Sequence, residues 1–123
     1  MKKLTFNDLL QYVGKQTTPT VYSANKKTGR IRVLANPRIT KPTQYYNICV
    51  GVDVPYLRFN VFPEKMNESK VQEIMFPNLG HSANSLTNNV LFLNKQDAID
   101  FSIKIIKEKI KKEQQEINKL KAL

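Results

Sequence analysis

The sequence is poor in the residues that build most catalytic and metal sites. Its 123 residues include one histidine, His81, one cysteine, Cys49, and no tryptophan. One cysteine excludes an internal disulfide, and a single His/Cys pair gives too few ligands for a zinc site. Ser82 follows His81, but adjacency in sequence does not give a nucleophile and its base. With no glycine-rich phosphate loop present, we expect a protein that is not an enzyme and uses no metal or cofactor.

Long apolar runs are also missing. None approaches the roughly 20 residues that cross a bilayer, so no membrane partner is expected. The first ten residues, MKKLTFNDLL, carry two lysines, but Asn7 and Asp8 interrupt the apolar segment that a signal peptide requires. Together with the single cysteine, this pattern predicts a cytoplasmic protein. The length favours a single domain that spans residues 1–123. The 41% hydrophobic content argues against disorder.

Acidic residues are scarce and unevenly distributed. Lysine and arginine number 20 against 10 aspartate and glutamate, for a net charge of +10. No acid lies between Leu9 and Val52, and all four arginines lie between Arg30 and Arg58. Such a charge attracts nucleic acid or an acidic protein, although solubility alone accounts for many of the lysines. The arginines carry more information because a guanidinium grips phosphate or carboxylate through parallel hydrogen bonds.

Short alternating stretches predict antiparallel strands through the basic region, residues 20–62. These strands are expected at residues 20–24, 30–34, 44–52 and 56–62. Asn36-Pro37 and Lys41-Pro42 interrupt the pattern and predict a basic loop from Ala35 to Thr43. A fifth strand is expected at residues 90–93, where an unbroken apolar run indicates cover on both faces.

Capping residues predict three helices. Thr5 and Asp8 form a capping-box pattern, and Gly14 is placed to end this first helix within residues 1–14. Asn67 caps a predicted short helix over residues 67–75, and Asn94 caps a long basic helix over residues 95–123. The expected fold is therefore α+β: a single domain with an antiparallel sheet of about five strands, a short N-terminal helix and a long C-terminal helix.

The last helix carries apolar residues at heptad spacing. These residues are Ile99, Ile103, Ile106, Ile110, Ile117 and Leu120, and the acidic Glu113 is the one defect in the seam. Up to Ile110 this stripe, widened by Ala98, Phe101 and Ile105, is expected to pack on the sheet. Beyond Ile110 the helix is expected to project. Because strong coiled coils sustain three or four clean heptads, a solvated end is the simpler interpretation and a homodimer through this helix the alternative.

Strand alternation predicts where the basic and aromatic residues lie. Arg30 and Arg32 are expected on the solvent face of one strand, with Lys26 and Lys27 at the neighbouring hairpin tip. In the later hairpin Tyr45, Tyr56, Arg58 and Asn60 share a mixed face, opposite Leu57, Phe59 and Val61. The predicted nucleic-acid-binding residues are Lys26, Lys27, Arg30, Arg32, Arg38, Lys41, Tyr45, Tyr56 and Arg58.

These features predict a small basic nucleic-acid-binding protein, with single-stranded DNA or RNA favoured because such sheets bind by base stacking and phosphate contacts. Its size and Lys/Asn/Ile bias are typical of viral and mobile-element proteins. The standard aromatic motif of sheet-based RNA binders is absent. Two alternatives remain: a protein-interaction module or inhibitor that docks an acidic surface, and a structural component that assembles through the C-terminal helix.

Overall fold

The computed structural model describes residues 2–47, 54–64, 71–77 and 88–123. The α+β class is confirmed, with a short N-terminal helix, antiparallel strands and a long C-terminal helix. The elements in chain order are α1 (Phe6–Leu10), β1 (Val21–Asn25), β2 (Ile31–Leu34), β3 (Arg38–Ile39), β4 (Thr43–Asn47), β5 (Val54–Phe62), β6 (Gln72–Pro77), β7 (Asn89–Phe92) and α2 (Lys95–Lys121).

The N-terminal helix begins at the predicted capping box. The Thr5 backbone N–H donates to the Asp8 carboxylate at 2.8 Å, and the Asp8 N–H donates to the Thr5 hydroxyl at 3.4 Å. The helix ends at Leu10, well before Gly14, so the prediction that Gly14 closes it is wrong. Val13 instead forms an isolated parallel bridge with Ile39, which takes the chain out of the helix and onto the sheet.

The strands form two antiparallel sheets, whereas the alternation pattern predicts one. In the first sheet β1 is central, between β2 and β7. In the second sheet β5 is central, with β6 along one edge and β3 and β4 in succession along the other. The two edges are distinct because Val61 pairs with Ile39 of β3 and with Gln72 of β6. Alternation has the same period in either arrangement, so it cannot distinguish them.

Burial arranges these elements in layers. The first sheet, α1 and the inner face of the second sheet enclose the main core, in which Phe6, Phe59 and Phe76 contact one another at ring-centroid distances of 5.0 and 5.9 Å. The opposite face of the first sheet packs against α2. This second core consists of Ala24, Val90, Phe92, Ala98 and Phe101. At β1 and β7 the first sheet is therefore covered on both faces. This agrees with the apolar run at residues 90–93 for Val90, Leu91 and Phe92, whereas Leu93 lies beyond β7 and is 41% exposed.

The segment from Gln72 to Pro77 is a strand, so the predicted helix over residues 67–75 is wrong in its second half; residues 67–70 lie outside the described part of the chain. Val71, Ile74 and Met75 have helical spacing, which suggested the helix. Pairing with β5 overrides that local preference because it buries Ile74 and Phe76 in the main core.

The strands that flank the expected basic loop and connection also differ from the prediction. Val54 and Pro55, expected in a tight connection, belong to β5, and β3 lies within the expected basic loop at residues 35–43. The predicted strand at residues 44–52 is described only as far as Asn47.

The docking of α2 uses only part of the predicted stripe. Ala98 and Phe101 are buried and Ile105 packs against the same core, so these residues hold the helix on the first sheet. Ile103, Ile106 and Ile110 were expected in that contact, but they are 45%, 43% and 60% exposed. The smaller row fits better because Ala98 and Ser102 let the helix approach the strands closely. From Ile106 onward every residue of α2 is exposed.

Gly29 forms the closest contact between the first sheet and α2. The Ser102 hydroxyl donates to the Gly29 carbonyl, and Gly29 has a positive φ of 74°. A Cβ atom there would lie 2.9 Å from Ile106 Cγ1 and 3.1 Å from the Ser102 carbonyl oxygen. The turn between β1 and β2 therefore needs a glycine for its backbone conformation and for the space beside the helix.

Gly29→Ala should lower the free energy of unfolding by about 2 kcal/mol or more, since it combines backbone strain with overpacking. Gly14→Ala is the matched control, because Gly14 has the same φ of 74° and no heavy atom within 4 Å of a built Cβ. Its loss should be about 1 kcal/mol, from backbone strain alone. Urea unfolding followed by circular dichroism measures both; equal losses would contradict the contact with α2.

Candidate nucleic-acid interface

The face of the second sheet turned away from the main core collects charged, polar and aromatic residues. Strand register assigns to this outer face Arg38, Thr43, Arg58, Asn60, Phe62, Glu73 and Met75. The inner-face neighbours Phe59 and Val61 are fully buried, which confirms the predicted division of β5 into an aliphatic and a mixed face. The described helices pack elsewhere, α1 in the main core and α2 on the first sheet.

Arg38 and Phe62 form a cation–π contact at one end of the outer face. The Arg38 Cζ atom lies 4.3 Å from the centre of the Phe62 ring, at a position where β3 pairs with the end of β5. Arg38 is exposed and has no carboxylate partner in the described part of the chain. Because the ring does not neutralise the guanidinium and Arg38 is exposed, its N–H groups can still donate to an anion.

Arg58 lies in the middle of the outer face and is paired with an acid. Its Nη1 atom is 3.3 Å from Glu73 Oε1, and the two side chains are 24% and 53% exposed. The Glu73 carboxylate partly neutralises the positive charge of the Arg58 guanidinium. Arg58 is therefore a less available anion ligand than Arg38.

Tyr45 and Tyr56 stand directly opposite each other in the register of β4 and β5. Tyr56 is two residues from Arg58, so alternation assigns both tyrosines to the outer face. Their side chains lie outside the described part of the chain, and their stacking role stays a prediction.

Lys41 lies at a bulge between β3 and β4. The Thr40 N–H donates to the Asn60 carbonyl at 3.0 Å, and Thr43 pairs with Arg58. Lys41 and Pro42 therefore oppose the single residue Phe59, which is the arrangement of a β-bulge. Pro42 has no N–H to pair with β5, and Lys41 is exposed. The bulge keeps a lysine at the edge of the outer face.

A cleft of about 450 Å³ opens beside the Arg38–Phe62 contact. It lies between the segment around Lys15 and the connection from β2 to β3. Asn36 joins these two walls, because its Oδ1 atom accepts the Thr18 N–H at 2.8 Å. The charged residues that line the cleft are Lys15, Arg38 and Glu64.

The other predicted basic residues belong to the first sheet. Lys26 and Lys27 lie in the turn between β1 and β2, where the Lys27 N–H donates to Asn25 Oδ1 at 2.8 Å. Arg30 follows the turn and is exposed. The nine predicted residues are thus divided between two sheets, with four on the first sheet and five on the second.

Arg32 contradicts the predicted solvent face of β2. It pairs with Ser23, on the face that also carries Val21 and Leu34 of the main core, and it is half-buried. Val33, on the opposite face, is 59% exposed. Alternation correctly places the arginine and the valine of β2 on opposite faces. It does not show that both faces of this sheet are covered.

Lys26 has a neighbour of like charge. Partial burial and the nearby Lys3 ammonium lower the pKa of Lys26 from its ordinary value. Lys3 itself lies over the Phe101 ring, at 5.3 Å from the ring centre. The hairpin therefore contributes to a basic cluster that extends toward α2, away from the outer face.

Sequence reasoning missed three residues of the outer face and its surroundings. Glu73 falls within the helix predicted at residues 67–75, which conceals its place on a strand. Phe62 and Lys15 are not among the nine predicted binding residues. The alternation Gln72-Glu73-Ile74 is a weak signal for the strand because the inward residue Gln72 is polar.

Comparison with protein-family models, curated proteins and solved structures finds no match. Among the residues that the structure describes, no group of three or more His, Cys, Asp or Glu side chains is placed to hold a metal ion. No described helix is long and apolar enough to cross a membrane. Cys49 and His81 lie outside the described residues.

A double-mutant cycle should detect the contact between Arg38 and Phe62. We expect Arg38→Met and Phe62→Leu to show a coupling free energy of about 0.5–1 kcal/mol, the range for partly exposed cation–π pairs. Urea unfolding of the wild type, both single variants and the double variant provides the measurement. A coupling of zero would mean that the ring does not hold the guanidinium.

Proposed function

We propose that this protein is a small, basic, non-enzymatic nucleic-acid-binding protein that holds single-stranded DNA or RNA on the outer face of its second sheet. The observation that carries the proposal is the guanidinium of Arg38 against the Phe62 ring on that face. Lys41 lies at the same edge, and Tyr45 and Tyr56 share the face by register. We extend the proposal to a cytoplasmic location and a viral or mobile-element origin.

Single strands suit this face better than a duplex. A sheet face offers successive bases a platform for stacking, while cations at its edge track the phosphates. From Tyr56 to Phe62 the face extends over six residue steps, or about 20 Å at the rise of a β-strand. The cleft beside Arg38, at about 450 Å³, lies within the size range of small-ligand sites and gives room for one nucleotide at the end of the platform.

Neutralising Arg38 and Lys41 together should weaken binding of a fluorescent single-stranded oligonucleotide. Both side chains are exposed, so the loss of stability should not exceed about 1 kcal/mol, the size expected for the Arg38–Phe62 contact. The slope of log affinity against log salt should decrease by about 0.7 for each phosphate that the variant no longer neutralises. Anisotropy titrations with Arg38→Gln/Lys41→Gln over a series of salt concentrations measure both quantities.

Lys27→Gln/Arg30→Gln is the matched control, because it removes the same charge from exposed positions on the first sheet. It should change affinity much less. Equal losses of affinity in the two double variants would show that the hairpin also binds the oligonucleotide, or that binding depends only on net charge. Failure of the wild type to bind any oligonucleotide near physiological salt would refute the proposal and favour an acidic protein as partner.

Glu73→Gln should strengthen binding, because it removes the carboxylate that competes with phosphate for Arg58. We expect an affinity gain of about threefold to tenfold, with a loss of stability below about 1 kcal/mol for this partly exposed pair. Glu108→Gln, on the exposed part of α2, removes the same charge far from the face. A gain of the same size in both variants would show a general charge effect and would argue against Arg58 as a ligand.

A further inference from the structure

The exposed stripe of α2 is not buried against any other described part of the chain, although Ile106 borders Gly29 in the turn between β1 and β2. Ile103, Ile106, Ile110, Ile117 and Leu120 are between 43% and 68% exposed. The helix docks on the first sheet through Ala98 and Phe101. The stripe is a second apolar row, and it remains largely exposed to solvent. Its spacing of four and three residues is that of the a and d positions of a coiled coil.

We propose that α2 pairs in antiparallel orientation with α2 of a second copy of this chain. In an antiparallel pair each a position faces a d position of the other helix, and the flanking positions meet as e with e and g with g. With Ile110 facing Glu113, the other layers join Ile106 to Ile117 and Ile103 to Leu120. Every layer then contains at least one aliphatic side chain, and the single acidic position never faces itself.

Charges beside the stripe favour this register. At the g positions Lys109 of each copy meets Glu116 of the other, and at the e positions Asp100 meets Lys121. The remaining e pair, Lys107 with Gln114, is not repulsive. The two-fold axis makes each contact occur twice, which gives four attractive pairs and no repulsive pair.

The neighbouring antiparallel registers are disfavoured. A slide of one heptad in one direction brings Lys109 against Lys109 and Lys107 against Lys107. A slide in the other direction brings Glu116 against Glu116 and Lys107 against Lys121. Like charges placed opposite each other discriminate against both registers.

The parallel arrangement is also less favourable. There Glu113 would face Glu113 of the second copy within the apolar seam, which places two carboxylates together in a partly desolvated position. Two types of attractive pair remain, Lys95 with Asp100 and Glu116 with Lys121, so the two facing Glu113 carboxylates decide against the parallel arrangement. The pattern of α2 therefore specifies an orientation as well as a surface.

The pairing does not depend on the nucleic-acid proposal. The layer order runs from α2 through the first sheet and the main core to the second sheet, so the outer face lies on the opposite side of the molecule. Substitutions in the exposed part of α2 can therefore change the oligomeric state without altering the contact between Arg38 and Phe62.

Two single charge reversals and their mixture test the proposal on the full chain. Sedimentation equilibrium of the wild type should show twice the chain mass of 14.2 kDa at high concentration. Lys109→Glu and Glu116→Lys should each raise the dimer dissociation constant by about tenfold or more, because two attractive pairs become repulsive. An equimolar mixture should recover a dimer. In a mixed dimer the two introduced side chains face each other with opposite charge, and the native Glu116 of one chain still faces the native Lys109 of the other.

The mixture also controls for changes within each helix. Each reversal places like charges four residues apart, with Glu113 or with Lys112, which slightly weakens its own helix. That effect persists in the mixture, so recovery can only come from contacts between chains. A monomeric wild type, single variants that dimerise like the wild type, or a mixture that stays monomeric would each overturn the proposal.

Discussion

The structure depends on a first sheet that is buried on both faces. Its central strand, β1, carries Val21 into the main core and Ala24 into the second core, with 1% and 0% exposure. A strand in that position cannot carry an unpaired charge, because burying an ion without a partner costs several kcal/mol. The basic residues of the chain are therefore displaced to the turn after β1, to the edge strand β2, and across the core to the second sheet. This displacement is what separates the predicted basic surface into two groups.

The second sheet has the opposite character, since only its inner face is needed for folding. Phe59, Ile74 and Phe76 supply that face and contact Phe6 of α1 in the main core. The outer face can therefore carry charged and polar residues that do not pack in a core. Of its two arginines, Arg58 has Glu73 beside it, whereas Arg38 lies against a ring that leaves its donors accessible. The difference between the two comes from their neighbours on adjacent strands, and it would not be visible in the spacing of the arginines along the chain.

Sequence patterns predicted local features well and the assembly of those features poorly. The capping residues Thr5 and Asn94 begin helices as expected, and the alternation of β5 assigns Phe59 inward and Arg58 outward. The helix predicted at residues 67–75 was wrong in its second half because the inward residue of β6, Gln72, is polar and obscures the strand alternation. The side-chain oxygen of Gln72 has no hydrogen-bond partner among the described residues. The division into two sheets could not be predicted, because it depends on which strands meet across the core rather than on their period. Of the candidate site, the mixed face of β5 was predictable, but its relation to Arg38 and Glu73 needed the register of β3 and β6.

The long helix shows why an amphipathic pattern does not identify what the apolar face contacts. Two apolar rows run side by side along α2, and the shorter one, with Ala98 and Phe101, is the one that docks. Small residues suit that contact because they let the helix approach the sheet, as the position of Ser102 against Gly29 demonstrates. The row of isoleucines stays largely exposed, and it is the surface through which we propose that two copies pair. Because that row and the outer face lie on opposite sides of the layers, a paired molecule would present two outer faces to one strand of nucleic acid. Two linked sites of modest affinity would then bind a long strand more tightly than either site alone, provided that the strand can reach both.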